Sequence, residues 1–338
     1  PILSRLTRCA NKTEEIAHSY YDLYFLLTQT KIRTKPMHNL YAKFDKILTI
    51  VKDSLQEKLD QQGNLRKRGC SPKFSDAEVI ALSLLAEVFM IDSENYLFQM
   101  LKRYREEPFN RLIDRSRYNR RRRALIKLTE QVRRALAKRL TEGENVFIID
   151  SMPIPVCRFV RAKRIRICKE NFDTWPSYGR SVSMQSTFLG YKLHCVSSNQ
   201  GIITHFSLTE ASFDDRRYLN HIKMYYGNCL ILADRGYLSK PLQQELFKEH
   251  RILLETPMMR TQKNYRTQPV IFRRSRKRIE TIYSQLNDQF HIHRNYAKSF
   301  VGLSVRILTK ITAFTISQYL NRFEFNFPIN KVKHAMLY

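Results

Sequence analysis

Three acidic residues occupy positions at which a pair of divalent cations could be bound. Asp150 and Asp234 each directly follow a short apolar run, and Glu280 lies in a later stretch with helical periodicity. Carboxylate oxygens are the ligands that Mg²⁺ prefers, and two such ions can activate the attacking oxygen and stabilise the leaving oxygen of a phosphodiester. The chemistry expected of this set is therefore metal-dependent phosphoryl transfer, with Mg²⁺ as the cofactor and Mn²⁺ able to substitute.

Each of these residues also has a simpler explanation. Asp150 and Asp234 precede turn-like sequences and could be turn formers. Glu280 could form a surface ion pair with Arg276, one helical turn earlier. Because the three occur together, on two predicted strand ends and a later helix, the sequence favours a shared metal site over three separate explanations.

The charge of the chain indicates a polyanionic partner. Its 338 residues include 59 Lys and Arg against 31 Asp and Glu, a formal net charge of +28. Neutralising phosphates releases counterions and relieves this self-repulsion, so nucleic acid is the expected partner. A membrane surface is not expected, because the basic residues are spread over many elements. The six cysteines contain no CxxC pair, which favours isolated thiols in a reducing cytosol over structural zinc or disulfides.

The basic residues are concentrated in two stretches. In 102–139 arginines are combined with apolar residues at helical spacing, and the adjacent arginines are expected to have almost no acidic partners; the second stretch is an irregular one at 158–179. A solvated charged face would explain some of these side chains, but adjacent arginines favour contact with a DNA backbone. The predicted DNA-binding residues are Arg117, Arg120, Arg121, Arg122, Arg123, Lys163, Arg164 and Lys192.

The first part of the chain has helical patterns. An amphipathic helix opens at Met37, and the segment 75–78 forms a capping box before a second helix. With a further helix from near Ser93 and the basic stretch, these patterns predict an all-helical DNA-binding domain at 37–140. Residues 1–36 are expected to be an upstream extension of uncertain status.

From Asn145 the pattern changes to short strands. Strands are predicted at 146–149, 190–196, 202–208, 230–233 and 252–254, and helices at about 214–225, 239–249, 272–289 and 295–322. Three antiparallel strands, a helix and a fourth strand form the order of the ribonuclease H-like fold, in which the first and fourth strands are neighbours. The expected fold class is therefore α/β, with a ribonuclease H-like catalytic domain at 145–325. Its mixed sheet would bring Asp150 and Asp234 together.

Four segments of the chain resemble the DDE transposases of bacterial insertion sequences. They are Ile149–Val156, Gly190–His194, Leu232–Tyr237 and Arg278–Leu286. The resemblance is closest to the insertion-sequence 982 family, within the insertion-sequence 4-like group, and covers about residues 37–310. It implies that Asp150, Asp234 and Glu280 are the catalytic and metal-binding triad. Arg276 matches an arginine that would position the scissile phosphate, whereas Asn287 stands where the related group has a lysine.

The resemblance implies a DNA transposase that binds the ends of its element, cleaves strands there and joins the 3′ hydroxyl to target DNA. Two ends must be brought together, so a homodimer on DNA is expected, in the cytoplasm and associated with the bacterial nucleoid. The apolar stretch 79–91 is too short to span a bilayer and contains Glu87, so no membrane segment is expected. The alternatives are a structure-specific nuclease of the same fold, a transposase-derived DNA-binding protein without chemistry, and a degenerate gene copy.

Overall fold

The computed structural model describes residues 40–66, 69–103, 107–181, 185–258, 261, 265–294 and 296–334. The chain divides into two compact units, 1–46 and 47–338. The predicted extension at 1–36 and the predicted helix start at Met37 lie outside the described residues.

The described residues before 141 are mainly helical. The helices are α1 (Leu40–Ser54), α2 (Asp76–Val88), α3 (Glu94–Leu101), α4 (Arg115–Ala124) and α5 (Ile126–Leu140). The predicted capping box is confirmed, because the Ser75 hydroxyl accepts a bond from the Glu78 amide and the Glu78 carboxylate accepts one from the Ser75 amide. This reciprocal pair fixes the start of α2.

The second part of the chain forms one mixed sheet with helices around it. Its strands are β1 (Val146–Pro155), β2 (Ser177–Ser181), β3 (Ser186–Ser198), β4 (Ile203–Glu210), β5 (Cys229–Ala233) and β6 (Ile252–Glu255). Its helices are α6 (Asp215–Ile222), α7 (Lys240–His250), α8 (Val270–Asp288) and α9 (Phe300–Phe323). The sheet order is β2-β3-β1-β5-β6, with β4 also paired to β3. This arrangement is consistent with the predicted ribonuclease H-like fold.

The two faces of β1 pack against different helices. Ile149 belongs to a buried cluster that includes Tyr218 of α6 and Leu246 of α7. Successive strand residues point to opposite faces, so Asp150 lies on the other face of the sheet. There α8 packs against β1 and β5. The predicted catalytic helix therefore covers the face that carries the first predicted catalytic acid.

The first strand is longer than predicted. It continues to Pro155, so Asp150 lies within the strand, and the expectation that it ends the strand is wrong. The Val156 amide donates to the Leu189 carbonyl on β3, so by alternation the nitrogens of Pro153 and Pro155 face the opposite edge. Proline is tolerated at such an unpaired edge. Because β5 pairs with β1 only as far as Ile149, the edge beside Asp150 is open.

One strand was not predicted. The stretch 158–179 was expected to be irregular, but Ser177–Ser181 forms β2, which pairs with the first residues of β3. This strand has the sequence Ser-Tyr-Gly-Arg-Ser and therefore lacks an apolar run. At Gly179 a Cβ atom would lie only 2.8 Å from the Cβ of Ala211, so the close approach of the chains requires glycine.

A buried lysine joins α9 to the helical part of the unit 47–338. The Lys310 Nζ donates to Glu87 Oε2 at 2.6 Å, to Asp92 Oδ1 at 3.0 Å and to the Phe290 carbonyl at 2.6 Å. We expect Lys310→Ala to lower the free energy of unfolding by about 3–5 kcal/mol, because Glu87 would be left buried without its cation. Urea unfolding measures this, with the exposed Lys331→Ala as control. Equal stability of the two variants would contradict the assignment.

Among the described residues, α9 is long and apolar enough to cross a membrane by length and composition alone. However, 78% of its apolar window is buried inside the protein, as in the core helix of a soluble protein, so this is weak evidence for a span. The apolar stretch 79–91 noted in the sequence is a different segment and forms most of α2.

Candidate active site

The parallel pair of β1 and β5 places the first two predicted acids. Ile149 lies opposite Ala233 at the last paired position of the two strands. The next residue in each chain segment is an aspartate, Asp150 on β1 and Asp234 after β5. The predicted adjacency of these two strands is confirmed. It brings the two carboxylates to the same open edge of the sheet.

The environment of Asp150 disfavours its charged form. Burial, reinforced by the negative charges of Asp234 and Asp215, raises the pKa of Asp150 to about 7. The Ser151 amide and the Arg276 guanidinium act in the opposite direction on this pKa but do not outweigh the burial. A partly buried carboxylate beside two others is an arrangement that a bound cation would stabilise.

This pKa shift predicts a pH-dependent effect of Asp150→Asn in metal-free protein. The folded-state pKa lies above the unfolded value of about 3.9, so folded protein binds more protons than unfolded protein between about pH 4 and pH 7. The stability of wild type therefore falls as pH rises through this window. We expect Asp150→Asn to raise the free energy of unfolding on the order of 2 kcal/mol at pH 8, and not at pH 3.5.

Urea unfolding in the presence of EDTA measures this effect. Asp214→Asn is the matched control, because hydrogen bonds from Arg216 lower the pKa of Asp214 and should give the opposite sign. Destabilisation by Asp150→Asn at pH 8 would contradict the environment described for this carboxylate.

Asp234 is held by an arginine from α8. Its carboxylate Oδ1 accepts a hydrogen bond from Nη2 of Arg276 at 2.7 Å. Arg276 therefore pairs with Asp234 and not with Glu280, the alternative considered from helical spacing. A cavity of about 510 Å³ adjoins this pair and is lined by Asp234, Arg235, Arg266, Arg273 and Arg276, among others. Four arginines beside a carboxylate form a surface suited to a phosphate group.

Glu280 lies one turn after Arg276 on α8 and is exposed. Its neighbours Ile279 and Tyr283 are buried. Within the described residues, no group of three or more His, Cys, Asp or Glu side chains lies close enough to hold a metal ion. The structure thus brings Asp150 and Asp234 together and does not place Glu280 in a three-ligand group with them.

A third aspartate, Asp215, lies near the two strand acids and raises the pKa of Asp150. Asp215, in the first turn of α6, accepts hydrogen bonds from Ser151 Oγ at 3.3 Å and Lys192 Nζ at 3.1 Å. Lys192, a predicted DNA-binding residue, is therefore engaged inside the protein. The preceding Asp214 caps α6 and pairs with Arg216 at 2.6 Å. The N-cap role accounts for Asp214, whereas Asp215, the first residue of α6, contacts β1 and β3.

The arginine run of α4 has acidic partners, so the premise that it lacks them is wrong. Arg121 pairs with Asp76 of α2 at 2.7 Å. Arg122 is buried and pairs with Glu94 of α3 at 3.3 Å. These carboxylates are distant in sequence, so local charge counting could not identify them. The two arginines hold the helices together, and their predicted contact with DNA stays a prediction.

Other predicted DNA-binding residues are accessible. Arg117 pairs with Asp114 at 3.3 Å, yet its side chain is 72% exposed. A surface ion pair of this kind contributes little to folding stability, so the arginine can exchange its carboxylate for another anion. Exposed side chains are also found at Arg120, Arg123, Lys163 and Arg164.

The segment that carries these site residues matches a known protein family. Residues 140–299 match the model of a family described as "Transposase DDE domain". This supports a transposase of the DDE type. The matched segment contains Asp150, Asp234, Arg276 and Glu280, together with all six strands. No curated protein matches the chain significantly.

Proposed function

We propose that the protein is a DNA transposase that binds the ends of its element, cleaves a strand at each end and joins the freed 3′ hydroxyl to target DNA. The observation that carries this proposal is the emergence of Asp150 and Asp234 from adjacent parallel strands, inside the segment that matches the transposase family. The arginine-lined cavity beside Asp234 supports a phosphodiester as the reacting group. We also propose that the protein belongs to the insertion-sequence 982 family and that its catalytic domain has the ribonuclease H-like fold.

The proposed metal ligands are Asp150, Asp234 and Glu280. Their oxygen donors fit Mg²⁺ or Mn²⁺, and a bound cation would favour the charged form of Asp150, whose pKa is raised to about 7 chiefly by burial. When bound, such ions neutralise charge on the phosphate and favour deprotonation of the attacking hydroxyl. Arg276 holds Asp234 in the free protein and donates to the scissile phosphate when DNA is bound. The buried Ile279 and Tyr283 fix the face of α8 from which Glu280 projects.

The proposed partner is DNA, both as element ends and as target. The net charge of +28 supports this partner, and so do the exposed basic residues on α4 and after β1. Two element ends must be held together for transposition, so a homodimer on DNA is part of the proposal. The proposed location is the cytoplasm, at the nucleoid.

A strand-transfer assay tests the function. The protein would be incubated with Mn²⁺, supercoiled plasmid and a linear fragment carrying short inverted repeats from the DNA that flanks its own gene. Covalent joining of the fragment to the plasmid is the expected result. Cleavage without joining would overturn the proposal in favour of a structure-specific nuclease. Binding without cleavage would favour a silent DNA-binding protein, the alternative that agrees with the absence of a three-ligand group among the described residues.

A further inference from the structure

An exposed group of aromatic and basic side chains lies on the connection between β1 and β2, at the start of β2 and at Lys298 before α9; we call it the aromatic–basic patch. It consists of Phe159, Phe172, Trp175 and Tyr178 with Arg161, Arg164, Arg166, Lys169 and Lys298. The exposed fractions of the four rings range from 42% for Trp175 to 76% for Phe172. Single exposed apolar side chains are ordinary, but four exposed large rings within residues 159–178 indicate a binding surface.

The rings are exposed although the backbone that carries them is anchored. The Cys168 amide donates to the Lys298 carbonyl at 2.9 Å. The Tyr191 hydroxyl of β3 donates to the Thr174 carbonyl at 2.6 Å. Cys168 and Ala162 are buried beneath the connection. The connection therefore presents its rings from a fixed support, as a stacking surface requires.

The geometry of the rings suits flat ligands. Phe172 and Trp175 have centroids 5.1 Å apart, and Phe159 and Tyr178 have centroids 6.2 Å apart. The Lys169 ammonium lies 5.5 Å from the centroid of Trp175. Aromatic faces beside a cation are the combination on which successive nucleic-acid bases stack.

The charges of the patch identify the kind of ligand. Arg161, Arg164, Arg166 and Lys298 line a cavity of about 680 Å³, which Val160, the residue after Phe159, also lines. Residues 158–180 include seven Lys or Arg against only Glu170 and Asp173, and Glu170 already accepts a bond from the Phe300 amide. A duplex presents phosphates but keeps its base faces stacked, whereas an unpaired strand offers both groups at once.

We propose that the aromatic–basic patch binds an unpaired DNA strand, with bases stacked on the exposed rings and phosphates held in the basic cavity. The patch follows directly after β1, the strand that carries Asp150. This proposal rests on the proposed function and adds that the DNA substrate is partly unpaired. Its binding step, however, requires no metal and no cleavage.

The single tryptophan of the chain makes the patch directly observable, because Trp175 is the only source of indole fluorescence. Full-length protein in EDTA would be titrated with a 20-nucleotide thymidine oligomer and with a duplex of equal length. We expect saturable quenching by the single strand and much weaker quenching by the duplex. Absence of quenching by the single strand would overturn the proposal.

Variants separate stacking from general charge attraction. Anisotropy of a labelled oligomer should show about tenfold weaker single-strand binding for Trp175→Ala and Phe172→Ala, and duplex binding within about twofold of wild type. Trp175→Phe should restore most of the affinity. The control is Phe247→Ala on α7, since Phe247 is also exposed and has the Arg251 guanidinium 5.9 Å from its ring.

The outcomes distinguish this inference from the proposed function. Equal weakening of single-strand and duplex binding by Trp175→Ala, or equal effects of Trp175→Ala and Phe247→Ala, would overturn the stacking role. Loss of strand transfer with normal single-strand quenching would instead count against the proposed function alone. Thermal unfolding of each variant identifies any that fails to fold. If Trp175→Ala does not fold, the single-strand and duplex affinities of Trp175→Phe are compared with those of wild type instead.

Discussion

Asp150→Ala and Asp234→Ala are each expected to reduce strand cleavage on the order of 10³-fold while DNA binding stays within about twofold of wild type. Each of the two residues directly follows the last paired position of β1 and β5, and the proposed function has both carboxylates hold the same cation. Removing either would leave charge on the reacting phosphate uncompensated. Single-turnover cleavage of an end-labelled fragment and a binding assay in EDTA measure the two quantities separately.

Asp214→Ala is the matched control for these two variants. Asp214 is a neighbouring carboxylate that is tied to Arg216 and caps α6. Its removal should leave cleavage close to wild type. Wild-type cleavage by Asp150→Ala would refute the assignment of the site.

Glu280→Ala should reduce cleavage to the same degree. This variant matters because Glu280 is exposed and stands outside any three-ligand group of described residues. Asp288→Ala, which removes an exposed acid from the same helix, is the control. If Glu280→Ala cleaved normally while Asp215→Ala did not, the third ligand would be Asp215 of α6.

Arg276→Ala is expected to have two opposite effects. The Arg276 guanidinium lies 2.7 Å from Asp234 Oδ1 and competes with a cation for this carboxylate. Removing the guanidinium should therefore raise the affinity of the free protein for Mn²⁺ by about tenfold. The same change removes a donor to the scissile phosphate, so cleavage should fall about 100-fold at saturating Mn²⁺. Calorimetric Mn²⁺ titration and single-turnover cleavage measure these effects.

Arg273→Ala is the control for Arg276, because Arg273 lines the same cavity from the preceding turn of α8. It should change phosphate binding without changing Mn²⁺ affinity. A lower Mn²⁺ affinity for Arg276→Ala would contradict the competition between the arginine and the cation for Asp234.

Local patterns were sufficient where the structure depends on local forces. The capping box at Ser75 and Glu78 fixes a helix start through neighbouring residues alone. The adjacency of Asp150 and Asp234 was predictable from the order of the elements, because three antiparallel strands, a helix and a fourth strand are typical of a fold whose first and fourth strands are neighbours. The polar sequence of β2 gave no comparable signal, since that strand depends on its pairing with β3.

Long-range contacts could not be predicted from the sequence in the same way. The partners of Arg121 and Arg122 come from α2 and α3, dozens of residues away in the case of Asp76. The same holds for Arg276, which reaches Asp234 across the sheet edge and leaves Glu280 exposed. In each case the nearest opposite charge in sequence is not the partner in the fold.

In the proposed function, Asp150, Asp234 and Glu280 hold the same pair of ions when DNA is bound. A crystal structure of the protein with an element end and Mn²⁺ tests it through the anomalous signal of the metal. We expect two Mn²⁺ ions roughly 4 Å apart at the open edge of β1 and β5, with a Glu280 oxygen bound to one of them. Metal bound without Glu280, or at another place in the complex, would contradict it.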